Sequence, residues 1–296
     1  MNVDIMKDAS EIVHYDTPGL PLYIREGFLS NYSNYRALCH WHEDFEFIHI
    51  FSGEMQYYIN GKRILIKQND GILILPNQMH YGYSDTKTNC HFSCLLIHPS
   101  AFCNNSKLNN QYITPITDNS NIEFYYLSAD NPEESKILSY LDQMFYLKTS
   151  AYPGYELEVI GLFHMLWAVF FRLISKNFSL TSPNAHTDII CQRKMVSFIY
   201  QNYASKITLD DISSSGGVCR SKCCQIFKKY LEHTPMEFVN LYRLEVSTYL
   251  LKNTDISVTD VAFSCGFNHL SHYSEMFRNH YGCTPKDYRI KFHVQN

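Results

Sequence analysis

Along the last third of the chain apolar residues recur at three- and four-residue spacing, and they do so twice. Cys223, Ile226, Phe227 and Tyr230 fall at i, i+3, i+4 and i+7, one face of a helix, and Tyr273, Met276, Phe277 and His280 repeat the spacing. This turns Arg220, Ser221, Cys224, Gln225, Lys228 and Lys229 away from the core in the first copy, and Leu270, Ser271, Ser274, Glu275 and Arg278 in the second. The repeat reaches beyond these helices. Thr208, Asp211, Gly217 and Val218 are matched 49 residues on by Ser257, Asp260, Gly266 and Phe267, whereas Phe227, Thr234, Pro235 and Phe238 are matched 50 residues on by Phe277, Thr284, Pro285 and Tyr288. The second copy therefore carries one extra residue just past its turn. A short helix, a glycine-containing turn and a second helix, written twice, predict paired helix-turn-helix units.

The helix ends are signalled too. Thr208 and Ser257 each stand three residues before an aspartate, the spacing of a capping box. Thr234-Pro235 and Thr284-Pro285 each place a cap and then a proline in a first turn, where its missing N–H costs nothing. A helix over about 236–251 must join the two units and set their separation.

The first hundred residues carry strand signals instead. Residues 55–59 and 62–66 flank Asn60-Gly61, the pair that supplies both positive-φ positions of a type I′ hairpin turn. Residues 71–76 and 91–97 read as further strands, and short strands at regular spacing predict a sandwich or barrel. From 132 to 177 the period becomes helical, first through Ile137, Leu138, Leu141, Met144, Phe145 and Leu147, then through Leu162, Phe163, Leu166, Trp167, Phe170 and Leu173. The second helix is apolar nearly all round, so it must be covered on most sides, by the barrel and, in the functional reading, by a second copy of the chain. A Ser-, Asn- and Pro-rich stretch without periodicity follows and reads as a linker. The expectation is an α+β multidomain chain: a sensing barrel at 1–131, a helical dimerisation segment at 132–177, a linker at 178–187, and an all-α pair of helix-turn-helix units at 188–296.

Charge supports a nucleic-acid partner only after the chain is divided. The whole carries a net −4, but residues 1–186 sum to −7 and residues 187–296 to +3, so the basic surplus lies with the repeats. A hydrophobic content of 45% with 18% charged residues excludes a disordered chain. The ten cysteines show no paired CxxC spacing of a zinc site. No basic stretch followed by an apolar core opens the sequence, and the apolar run 159–171, broken by His164, is shorter than the roughly 20 residues that span a bilayer. A cytoplasmic protein with reduced thiols and no membrane association is expected.

Within the strand-rich region lies His40-Trp41-His42-Glu43-Asp44-Phe45-Glu46, followed six residues later by Gly53, and downstream by Pro76 and His80. The first stretch resembles the HxH-x3-E-x6-G motif of the cupins, a family that uses two histidines, the glutamate and a later histidine to bind a divalent metal inside a jelly-roll barrel. The second cupin motif matches poorly: Pro76 to His80 is one residue short, and Gln78 stands for the usual glycine. His40, His42, Glu46 and His80 are therefore candidate ligand-binding residues. Three readings stay open for them: an organic ligand, a metal, or hydrogen bonds within the wall. The organic ligand is the reading adopted, with no metal and no cofactor required.

The C-terminal residues resemble the AraC-type transcriptional regulators over about 100 positions: Ile226-Phe227-Lys228-Lys229, the linking Arg243-Leu244-Glu245, Asp260 to Ala262 with Gly266-Phe267, Phe277, and Thr284-Pro285 through Arg289. A cupin-like sensor ahead of such a domain is a common arrangement in that family. The resemblance implies a ligand-responsive, sequence-specific regulator, an activator and no enzyme, with a carbohydrate or other small polar metabolite as effector. Its implied partners are double-stranded operator DNA, a second copy of the chain and, as a further candidate, RNA polymerase. By position, Ser221, Cys224, Gln225, Leu270, Ser271, Ser274 and Glu275 would read bases, and Arg220, Lys228, Lys229, His269 and Arg278 complete the DNA-facing set. Gln225 and Glu275 stand where many members carry arginine, which shifts the implied preference from guanine toward adenine and cytosine. Cys219 replaces the usual serine cap, and Arg243 reads as a structural ion-pair residue. The alternative is a metal-dependent cupin enzyme or metal sensor with a DNA-docking C-terminal module.

Overall fold

The computed structural model describes residues 10–11, 13–16, 20–101, 106–117, 119, 121–177 and 187–292, and the chain divides into two compact units, an N-terminal one and one that holds residues 187–296. Of the expected linker at 178–187, residues 178–186 lie outside the described residues, and Thr187 already opens a helix.

The N-terminal unit contains β1 (Leu22–Phe28), β2 (Phe45–Ser52), β3 (Met55–Ile59), β4 (Lys62–Ile66), β5 (Gly71–Ile74), β6 (His80–Tyr83), β7 (His91–Ile97) and β8 (Phe124–Leu127). They pair antiparallel in two sheets, one ordered β1-β7-β2-β5-β8 and the other β4-β3-β6. The β3–β4 hairpin turns at Asn60 (φ 45°) and Gly61 (φ 90°), as the Asn-Gly pair predicted. Between β7 and β8 come α1 (Ser106–Leu108), a π-type turn at Asn109–Ile113, and α2 (Thr114–Thr117). After β8 follow α3 (Pro132–Ser150) and α4 (Tyr155–Asn177). Asn131 caps α3 through its side chain, accepting from the amides of Glu133 and Glu134, and Pro132 opens the first turn.

Strand β2 separates two cores. Phe45 and Phe47 pack toward Phe163, Trp167 and Leu138 of the helices, while Ile48 and Ile50 join Met55, Tyr57, Ile59, Ile72 and Phe92 between the sheets. Alternation along a strand then puts Glu46 on the second face, inside the sandwich, next to Ile48. The helices and the five-stranded sheet share one core rather than forming a separate segment.

Helix α4 is covered on one side only. Val159, Phe163, Leu166, Trp167, Phe170, Leu173 and Ile174 are buried, but Leu157 is 80% exposed and Met165 53%, beside Tyr146 of α3 at 69%. Within a single chain the barrel therefore supplies only part of the expected cover. The helix is also longer than the 159–171 run implied: Tyr155–Lys176 has the length and hydropathy of a bilayer span, although its buried face belongs to the sheet core.

The C-terminal unit is helical: α5 (Thr187–Asn202), α6 (Leu209–Ser215), α7 (Arg220–Leu231), α8 (Pro235–Asn253), α9 (Val258–Ser264), α10 (Leu270–Tyr281) and α11 (Pro285–Phe292). Its ends follow the sequence signals. Thr208 and Asp211 form a reciprocal capping box, as do Thr234 and Glu237, and Ser257 and Thr284 accept from the amides of Asp260 and Asp287. The joining helix α8 runs slightly past the expected 236–251 at both ends.

Candidate functional site

The two helix-turn-helix units are α6–α7 and α9–α10. In α7, Cys223, Ile226, Phe227 and Tyr230 are buried; in α10, Tyr273 and Phe277 are buried, with Met276 and His280 half-buried. The opposite faces are open. Ser221, Gln225, Lys228 and Lys229 are exposed on α7 and Cys224 is half-buried; His269, Leu270, Ser271, Glu275 and Arg278 are exposed at α10, and Ser274 is half-buried. Several of these groups already have contacts within the chain. Arg220 pairs through two guanidinium nitrogens with Asp210 of α6, Lys228 Nζ lies 3.4 Å from the Glu232 carbonyl, and Lys229 Nζ donates to the Tyr230 hydroxyl at 2.8 Å. Neither Cys219 nor His269, the N-cap residues of α7 and α10, makes a side-chain capping bond, so neither helix start is satisfied by its own cap residue's side chain.

Arg243 of α8 has a structural role, but not as an ion pair. Its Nε donates to the Tyr203 carbonyl and its Nη2 to the Ser205 carbonyl, both at 2.8 Å, and its guanidinium lies 5.9 Å from the Phe267 ring centroid. Gly266, at φ 85°, comes so close to the same stretch that a Cβ there would meet the Tyr203 oxygen at 2.5 Å. Arg243 thus ties the end of α5 to the turn of the second unit through the helix that separates the units. Only the arginine, and not its carbonyl partners, was legible in the sequence.

In the N-terminal unit His40, His42, Glu46 and His80 converge: their ligand atoms all lie within 4.8 Å of one another, and all four residues are buried. His40 and His80 face each other across an isolated antiparallel bridge, and Glu46 reaches the cluster from β2. Every imidazole is fixed from behind. His40 Nδ1 meets the Leu38 carbonyl at 2.7 Å, His42 Nδ1 the Asp44 carbonyl at 3.1 Å, and His80 Nδ1 the Gln78 carbonyl at 2.8 Å. A carbonyl oxygen only accepts, so Nδ1 carries the proton in all three rings and the three Nε2 atoms face inward.

The inward atoms are held against one carboxylate. Glu46 Oε2 lies 3.2 Å from His42 Nε2 and 2.6 Å from His80 Nε2, while Tyr57 donates to Oε1 at 2.8 Å. The His80 contact is an ion-pair distance without hydrogen-bond geometry, so its Nε2 is buried and unsatisfied. Burial alone would push the Glu46 pKa up, but the adjacent His80 and the hydrogen bond to His42 outweigh it and hold the carboxyl well below its usual range. Burial, reinforced by the neighbouring His80 and His42, lowers His40 to about 3, which keeps that ring neutral. The cavity beside the cluster is about 50 Å³, lined by Tyr23, Tyr32, Tyr57 and Cys94 among others. That is room for a water or two rather than for a ligand needing roughly 300 Å³.

Sequence reasoning missed two residues here. Tyr57 lies on β3, whose alternation brings it to the interior, but nothing in its spacing linked it to Glu46. Glu11 comes from the N-terminal segment and places Oε2 3.5 Å from His40 Nε2 and 4.0 Å from His42 Nε2. The donor set fits the metal that the cupin motif implies. Neutral imidazoles and a carboxylate suit first-row divalent ions, and backbone carbonyls behind each ring are the support such ligands use.

A barrel with a buried polar cluster, followed by two helix-turn-helix units, defines a ligand-binding, DNA-binding regulator. Comparison with known proteins agrees: residues 25–111 match the AraC-like ligand binding domain, and residues 213–291 match a helix-turn-helix domain. The chain is an AraC-type transcriptional regulator. The uncharacterized HTH-type transcriptional regulator YdeC of Bacillus subtilis (strain 168) is 27% identical over 97% of this chain and 98% of its own length. The HTH-type transcriptional activator RhaS of Salmonella newport is 23% identical over 84% of this chain and 86% of its own. Among solved structures, ToxT from Vibrio cholerae O395 covers 92% of this chain and 98% of its own, at 15% identity and a TM-score of 0.47.

Proposed function

We propose that this regulator binds operator DNA as a homodimer and that a small polar effector, held in the N-terminal barrel by some of His40, His42, Glu46 and His80, sets its affinity. The observation that carries the reading is the burial of these four polar side chains around one point, costly unless a ligand, water or a cation satisfies them. On the DNA side, Ser221, Cys224, Gln225, Leu270, Ser271, Ser274 and Glu275 read bases, whereas Arg220, Lys228, Lys229, His269 and Arg278 contact the backbone. The exposure of these positions at α7 and α10, all but the half-buried Cys224 and Ser274, supports the assignment. The bare stripe of Leu157, Gly161 and Met165 on α4, with Tyr146 beside it, supports a dimer through the helices. Activation through RNA polymerase, a cytoplasmic location and the absence of enzymatic activity follow from this role, and relatives such as RhaS are transcriptional activators.

A sugar-sized effector requires the cavity of about 50 Å³ to widen, so an organic ligand at this site must open the barrel. The test is the double variant His42→Ala with Glu46→Ala, measured by fluorescence anisotropy on the native promoter. Basal operator binding should persist while the effector response disappears. A double variant that responds like the wild type would place the effector elsewhere.

A further inference from the structure

Between Val159 and Ile174 the only polar side chains that interrupt the apolar run of α4 are His164 and Arg172, which share a face with Ala168 midway between them. Opposite that face lies the π-type turn at Asn109–Ile113. The turn and the helix enclose a hollow of about 370 Å³, walled by Tyr112, Ile113, Trp167, Ala168 and Phe171. Among the described residues no strand residue lines it, so it is separate from the histidine cluster inside the barrel.

Local structure builds this hollow. A π-turn is rare and recurs at functional sites. Here its Tyr112 carbonyl accepts from the Trp167 indole N–H at 3.1 Å, which engages the one polar atom of that ring and leaves its hydrocarbon as wall. Phe171 meets Tyr112 edge to face, with ring centroids 5.1 Å apart and 84° between the planes. Ile113 and Trp167 are buried, whereas Tyr112 is 36% exposed and Ala168 and Arg172 open to solvent. An apolar floor under a wet rim, with a volume inside the roughly 300–1,000 Å³ of small-molecule sites, has the form of a ligand pocket.

Charge selects the occupant. Arg172 is the one lysine, arginine or carboxylate side chain lining the hollow among the described residues, and it forms no ion pair with any of them. His164 Nδ1 donates to the Ile160 carbonyl at 2.7 Å and brings no negative charge. An unopposed guanidinium takes a carboxylate in a two-pronged fork, and three aromatic walls favour the edge and face of a flat ring over a flexible chain. We propose that this hollow binds an aromatic monocarboxylate, its ring system among Tyr112, Trp167 and Phe171 and its carboxylate on Arg172. The site is independent of the effector reading of His40, His42, Glu46 and His80, and goes beyond it.

The experiment titrates the full chain by calorimetry with 2-naphthoate, with its neutral analogue 2-naphthamide, and with decanoate. One saturable naphthoate per chain is expected, with the amide and decanoate each at least about fivefold weaker. Arg172→Gln should bring naphthoate down to the affinity of the amide. Ala168→Trp, a substitution at an exposed position that fills the hollow, should abolish binding without lowering Tm. No naphthoate bound by the wild type at millimolar concentration would overturn the proposal, and undiminished binding to Ala168→Trp would place the ligand elsewhere. Equal affinity for the acid and the amide would refute the role of Arg172, and decanoate binding as tightly as naphthoate would refute the aromatic assignment. The effector response of the His42→Ala, Glu46→Ala variant is read in a separate assay, so failure of either reading leaves the other tested.

Discussion

Replacing Arg243 by alanine offers a direct test of how the two helix-turn-helix units are held in register. The side chain is 8% exposed and donates to the carbonyls of Tyr203 and Ser205, each at 2.8 Å. A hydrogen bond to a charged group contributes about 1.5–3 kcal/mol, and the orphaned carbonyls recover part of their loss from water, so Arg243→Ala should cost about 3–5 kcal/mol. For a unit of this size that corresponds to a fall in Tm of about 12 °C or more. Both tryptophans, Trp41 and Trp167, lie in the N-terminal unit, so tryptophan fluorescence follows that unit, while the loss of far-UV helical signal is weighted toward the C-terminal one. The circular-dichroism transition should shift and the fluorescence transition should not. Arg243→Lys should recover about half of the loss, because one ammonium cannot reproduce the two-pronged fork. Operator affinity, measured well below the lowered Tm, should fall for long sites that engage both units and stay nearly constant for half-sites. An unchanged Tm with affinity lost for every sequence would make Arg243 a DNA contact and refute this account.

Three further outcomes are expected. Gln225→Ala should relax preference at one or two positions in a binding-site selection, at a cost of about 1–3 kcal/mol, whereas Lys228→Ala should weaken all sequences alike and lower the salt slope by about one unit; an unchanged preferred site for Gln225→Ala would shift the base-reading register. Leu157→Glu with Met165→Glu, both at exposed positions, should give monomers in sedimentation at micromolar concentration without lowering Tm, and a persistent dimer would move the interface off α4. Hydrogen bonds from Thr208 hold Asp211, and those from Thr234 hold Glu237, below their usual carboxylate range. Their stabilisation is therefore complete above the unfolded carboxylate range, about pH 4, and is lost as pH falls through the lower folded values. Acid titration of the Asp211→Asn, Glu237→Gln variant should show a shallower loss below pH ~4 than the wild type.

What could be read from the sequence divides along a physical line. The outward faces of α7 and α10, the caps at Thr208, Thr234, Ser257 and Thr284, and the Asn60-Gly61 turn all follow from interactions within a few residues, where period and spacing suffice. His40, His42 and Glu46 were visible for the same reason, being close in sequence on a strand and its approach. The partners that decide the chemistry were not visible. Tyr57 and Glu11 meet the cluster across separations that only the sheet pairing and the path of the first segment create, and Arg243 finds carbonyls that any residue could have supplied. The cover on α4 was legible only in part: an apolar surface fixes that something must lie against it, and the sheet core supplies that cover on one face alone. The same logic bears on the effector. Polar side chains at cupin spacing are compatible with a sugar, water or an ion, and the choice among them turns on the volume left at the point of convergence. Packing from both sheets sets that volume at about 50 Å³, and alternation along β2 places Glu46 within it. A residue that enlarged this space, such as Tyr57→Ala, would remove both a hydrogen-bond donor to Glu46 and the wall that keeps larger ligands out. It should therefore weaken an ion while admitting small polar molecules, a reversal of selectivity that calorimetry with Zn²⁺ and with simple sugars can read in parallel.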